Sequence, residues 1–160
     1  MSRRADLLAD RIEQGAATLA AFATDLSDEQ WRTAVPKDGR TIGVTVHHVA
    51  SMYPIEIDVV RVIAQGKPVT DVTWDVVAQI NAAHASENAA CTKGDALALL
   101  QKNSKAAADA VRTFTDAELD RAAPFSLSYG APMTTQFVIE DHPLRHPWHH
   151  LARMKAALAR

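Results

Sequence analysis

Apolar residues recur at steps of three and four along most of the chain, and stretches that read as strands are scarce. Leu8, Ile12, Leu19, Phe22 and Leu26 keep the helical period, which predicts a first helix from Ser2 to Ala23. "LSDEQW" follows. Ser27 with Gln30 three residues on is a capping-box pattern, so a short helical turn starts there. Pro36 and Gly39 in "VPKDGRT" then break the chain. Thr41 caps a second helix that runs to about Gln65 and stops at Gly66 and Pro68. Pro54 lies inside this helix, removes one backbone donor and is expected to bend it near Ala50. A loosely patterned helical stretch covers about residues 73–89. A further helix starts at Thr92 or Lys93 and carries Leu97, Leu100, Ala107, Val111 and Phe114. "FTDAELD" is another capped turn. Residues 122–133, rich in Pro, Gly and Ser, read as an irregular connection with a short extended piece. The last helix starts near Thr134 and reaches the C-terminus. Four main amphipathic helices predict an all-α four-helix bundle with extra short helical segments.

Length and composition narrow the function classes. At 160 residues, the simplest organisation is a single domain over residues 1–160. The net charge of −2 comes from 17 basic and 19 acidic residues with no basic block, which argues against nucleic acid as a partner. Arg145, Arg153, Lys155 and Arg160 read as cations that complement the carbonyl end of the last helix. No apolar run reaches membrane-spanning length, and "MSRRADLLADRIEQG" is charged and helical rather than a signal peptide, so a cytoplasmic location is expected. The one cysteine, Cys91, excludes an intramolecular disulfide and reads as a small packing residue. Abundant alanines on the helices allow close packing between subunits, so a homodimer is compatible with the pattern.

The unusual feature is "EDHPLRHPWHHLARM", with four histidines crowded near the C-terminus. Each helical residue advances by about 100°. In the second helix, His48 lies on a stripe with Thr45, Met52, Ile55, Val59 and Val62. His47 shares the wetter face with Ser51, Pro54 and Asp58. In the last helix, His146 and His150 share a stripe with Ile139, Met154, Ala157 and Leu158, whereas His149 aligns with Arg145 and Arg153 and faces water. His48, His146 and His150 are therefore expected to point inward. Each buried imidazole left unpaired costs on the order of 1–3 kcal/mol. A divalent metal accepts their lone pairs and removes that cost. Zn²⁺ or Ni²⁺ suits such a set best, and Fe²⁺ can use the same nitrogens. A histidine on an apolar face also serves as a core residue bonded to a backbone carbonyl, so the metal reading depends on the two helices adjoining.

"LSDEQWRTAVPKDGRTIGVTVHHVA", "TDAELDRAAP" and "HPWHHLARM" together resemble the DinB/YfiT-like proteins, over most of the chain. The resemblance implies a four-helix bundle whose metal is held by three histidines, carried onto His48, His146 and His150. His47 and His149 fall on non-ligand positions. Pro143 and Pro147 depart from the pattern by interrupting the last helix, which leaves His142 as a substitute ligand. The resemblance also implies two chemistries on a small-molecule substrate. One is metal-dependent hydrolysis. The other is transfer or isomerisation with a low-molecular-weight thiol such as mycothiol or bacillithiol. No general base is evident. Glu56, Asp58, Asn81, His84, Glu140 and Asp141 are polar candidates for the pocket rim, of residue types mostly found outside. The competing class is a non-catalytic bundle, metal-stabilised or metal-free, that binds a partner or dimerises.

Overall fold

The computed structural model describes residues 2–159. Arg160, the last of the C-terminal cations, lies outside them. The long helices are α1 (Arg3–Thr24), α3 (Ile42–Ala64), α4 (Trp74–Glu87) and α5 (Lys93–Arg112). Short helical turns α2 (Asp28–Trp31) and α6 (Asp116–Asp120) follow α1 and α5. At the C-terminus, α7 (Thr135–Ile139) passes through a π-helical turn (Glu140–Leu144) into α8 (Arg145–Leu158).

Side-chain caps set the boundaries. Ser2, Thr41, Thr73 and Thr92 each accept a hydrogen bond from a first-turn N–H of α1, α3, α4 and α5 respectively. Both expected capping boxes form, Ser27 with Gln30 and Thr115 with Glu118. Gly66, at φ +75°, ends α3. Its N–H donates to Ile63 O, and the Lys67 N–H reaches back to Val62 O, closing a Schellman motif.

α5 and the C-terminal helix each pack against both α1 and α3, which gives the order α1–α5–α3–α8 around the bundle. The core joins Leu8, Ile12 and Leu19 of α1, Val46, Val49, Tyr53 and Ile57 of α3, Leu100 and Val111 of α5, and Leu151 and Met154 of α8. The helix α4 lies outside this ring against α3, and His84 is its one fully buried residue. The irregular stretch contains a small antiparallel hairpin, β1 (Ala122–Pro124) with β2 (Pro132–Thr134), in which Ala123 faces Met133. Val69 bridges to Phe125 beside it, and Phe125 is buried.

Two expectations need correction. The α3 stripe of Met52, Ile55, Val59 and Val62 is not the core face. Met52, Val59 and Val62 are half-buried and Ile55 is 43% exposed, while Val46, Val49, Ala50, Tyr53, Ile57 and Val60 fill the core. A helix apolar on nearly every side gives the wheel no unique inward direction. Of the C-terminal cations, Lys155 stands in the last turn of α8 as expected, but Arg145 and Arg153 do not. Arg145 opens α8 and pairs with Asp141 at 3.1 Å, and Arg153 reaches Asp38 at 3.4 Å.

The prolines of the last helix are absorbed by the π turn. The chain stays helical from Thr135 to Leu158, with Ile139, Leu144 and Arg145 all in right-handed helical geometry, and Pro147, the third residue of α8, follows the wider turn directly.

Candidate metal centre

The second turn of α3 and the first two turns of α8 face each other in the bundle. His48 leaves α3, and His146 and His150, one turn apart on α8, meet it. One ring nitrogen from each lies within 4.8 Å of the other two. His48 Nε2 and His146 Nε2 are 3.1 Å apart. The ring centroids are 4.8–5.3 Å apart. His48 and His150 are buried and His146 is half-buried.

The electrostatics leave the rings ready to donate lone pairs. Burial, reinforced by His146 and the Arg40 guanidinium, pushes His150 down to about 2 and His48 far below the usual imidazole range. Both are therefore neutral at pH 7, as a ligand must be. A divalent ion fits this donor set. Two nitrogens each about 2.0–2.1 Å from a tetrahedral ion stand roughly 3.3–3.4 Å apart, close to the separation of the two Nε2 atoms.

The site opens into a cavity of about 340 Å³. Its apolar wall comes from Met52, Ile55 and Val59 of α3, from Val72, Trp74, Val77 and Ile80 in and before α4, and from Phe125 and Leu127 near the hairpin. Arg40, Arg145 and Arg153 are the cations that line it. Such a wall takes up an apolar body, with polar contacts concentrated at the histidine end.

The other candidates separate clearly. His142 stays with Phe125, ring centroids 5.4 Å apart, and is not part of the triad. Its place in the π turn keeps it off the α8 stripe. His149 is exposed. Asp58 is exposed and pairs with Arg61 at 3.0 Å, and Glu140 pairs with Arg11 at 2.9 Å. Asn81 and Asp141 line the cavity. Glu56 and His84, of types expected outside, are inside instead. The Glu56 side chain is 13% exposed, with Oε1 2.9 Å from His146 Nδ1 in an alignment short of a well-formed hydrogen bond. His84 packs under α4 with Nε2 2.8 Å from His47 Nδ1, and burial beside His47 lowers it to about 4. Burial pushes the Cys91 thiol up, the opposite of what a nucleophile needs.

Helix periodicity missed Arg40 and Asp38, because loop residues have no period to read. The Asp38 side chain is only 3% exposed and grips Arg40 through both oxygens, Nη2 to Oδ2 at 2.9 Å. Burial would raise the Asp38 carboxyl, but the Arg40 hydrogen bond and charge outweigh it and hold the group below the usual carboxylate range.

Fold and site together define a helical bundle with a three-histidine cluster at the floor of an apolar pocket. A profile of the DinB superfamily matches residues 11–154, and the chain belongs to that superfamily. Among solved structures it is similar to YfiT from Bacillus subtilis, with a TM-score of 0.78 and 20% identity over 100% of this chain and 89% of that one. YfiT is described as a probable metal-dependent hydrolase with an unusual four-helix bundle topology. At that identity the likeness establishes the fold. No curated protein matches the chain. Among the described residues, no helix is long and apolar enough to cross a membrane.

Proposed function

We propose that this chain is a metal-dependent enzyme in which His48, His146 and His150 hold one divalent ion and a small molecule enters the pocket beside it. One observation carries the reading: nitrogens of three inward imidazoles converge within 4.8 Å at the edge of a cavity. An ion bound there lowers the pKa of a coordinated water or thiol toward neutrality and polarises a carbonyl. This supports hydrolysis, or transfer with a low-molecular-weight thiol such as mycothiol or bacillithiol. Three nitrogen donors suit Zn²⁺ or Ni²⁺ best, with Fe²⁺ as a further fit. The protein's own residues shape the rest. Met52, Ile55, Trp74 and Ile80 hold an apolar body and keep water out. Arg40 and Arg153 put positive charge where an anionic group of the substrate or cofactor would lie.

Elemental analysis of protein purified without an affinity tag tests this. About one metal per chain is expected in wild type and in His149→Ala, and none in His48→Ala. The Co²⁺-substituted protein should then change its visible spectrum with a thiol or a hydrolysable ester. Metal retained by His48→Ala would sink the proposal. A second reading has one observation in its favour. A separation of 3.1 Å also fits a hydrogen bond between two neutral imidazoles, as in a metal-free, non-catalytic module. That reading expects no metal in wild type and no change in melting temperature with a chelator.

A further inference from the structure

His146 is held differently from the other two histidines of the cluster. His48 lies in the second turn of α3. His150 lies in the second turn of α8. His146 stands in the first turn of α8, between the π turn and Pro147, and its side chain is 16% exposed. Proline follows it directly, and a residue before proline is pushed away from helical geometry. An anchor on the ring itself steadies its aim.

Glu56 supplies one. It lies two turns beyond His48 on α3, and its Oε1 is 2.9 Å from His146 Nδ1, the nitrogen turned away from His48. Among the described residues, Glu56 forms no ion pair with lysine or arginine. Its other oxygen, Oε2, is buried without a hydrogen-bond partner. A carboxylate in such surroundings favours positive charge nearby. A cation on the far nitrogen of the same imidazole provides that charge and makes Nδ1–H a stronger donor. The Nδ1 atoms of all three rings lack a well-formed hydrogen bond, but only that of His146 has a carboxylate oxygen in ion-pair range, so the carboxylate is specific to His146.

Building on the metal-binding reading above, we propose that Glu56 is a positioning residue of the centre. Its carboxylate accepts a hydrogen bond from His146 Nδ1, which fixes the tautomer that leaves Nε2 free for the ion. Glu56 thereby sets the affinity and geometry of the site without ligating it.

The test titrates Co²⁺ into metal-free wild type, Glu56→Gln and Glu56→Ala, against a competing chelator. Glu56→Ala should bind about 10–100-fold more weakly, with a shifted visible spectrum, as loss of such an outer partner generally causes. Glu56→Gln keeps an acceptor oxygen and should recover most of the affinity and the wild-type spectrum, a rescue that a purely structural role would not produce. Ring ¹⁵N–¹H spectra of metal-free wild type should show His146 protonated on Nδ1, and this needs no variant to fold. An Nε2–H tautomer at His146 overturns the proposal. So does a Glu56→Ala protein equal to wild type in affinity and spectrum. Wild type that binds no Co²⁺ fails the metal reading itself, and the tautomer measurement still judges Glu56.

Discussion

Asp38 carries its charge in the turn before α3, where Gly39 at φ +81° lets the chain reverse and Val35 N–H bonds back to Arg40 O at 2.8 Å. The carboxylate faces Arg40 and Arg153 and through them borders the histidine pocket. Its folded pKa lies below the unfolded value of about 3.9, so it contributes stability above that pH, which fades as pH falls through the folded value. Asp38→Asn leaves the Arg40 charge buried without its partner, at a cost of about 3 kcal/mol near neutrality. Thermal melts of both proteins from pH 7 to pH 3 should show a gap that is widest above about pH 5 and narrows below about pH 4. A gap of constant size would mean that the partners do not hold Asp38 ionised. Nothing in the local sequence around "PKDGR" announces that Arg153 joins Asp38 and Arg40. A loop residue is placed by what the chain folds against, and the relevant neighbour, Arg153, is more than a hundred positions away.

The long helices accommodate their prolines in two different ways. In α3, Pro54 deprives the Ala50 carbonyl of its usual donor, and the Asn103 amide from α5 donates to that carbonyl at 2.9 Å instead. A side chain of one helix thus repairs the backbone of its neighbour. Asn103→Ala should cost about 1–3 kcal/mol, the range for orphaning a buried acceptor. In a Pro54→Ala background the restored N–H serves Ala50, so the same Asn103→Ala change should cost far less. Urea unfolding of the four proteins measures the coupling, and strictly additive costs would refute the repair. In the last helix, the backbone itself adjusts. The π turn over Glu140–Leu144 widens the hydrogen-bond register around Pro143 and just before Pro147, and His146 and His150, four apart in α8, still share a face. The composition of "EDHPLRHPWHH" showed that a break had to occur. It did not say whether the break would be a kink or a wider turn, because both satisfy the proline locally.

At the scale of the whole molecule, the bundle is uneven. α1, α3, α5 and α8 share one core, whereas α4 touches α3 and buries only His84 fully, yet it supplies Trp74, Val77 and Ile80 to the pocket wall. Few buried apolar contacts mean a low free energy of local opening. Amides of α4 should therefore exchange with deuterium well before those of α3 and α5, and a ligand in the pocket should slow them selectively. Exchange as slow in α4 as in α5 would contradict the packing. The helices and most of their caps were legible from the sequence, because hydrogen bonds within a few residues determine them, and the fixed turn per residue put His146 and His150 on one face; His48 does turn inward, but not on a core stripe with Met52, Ile55, Val59 and Val62. The contacts that make these pieces a site were not. The approach of α3 to α8, the burial of His84 between α4 and α3, the carboxylate of Glu56 behind His146 and the reach of Arg153 to Asp38 depend on which surfaces meet. That is settled by packing between segments far apart in the chain, to which local periodicity is blind.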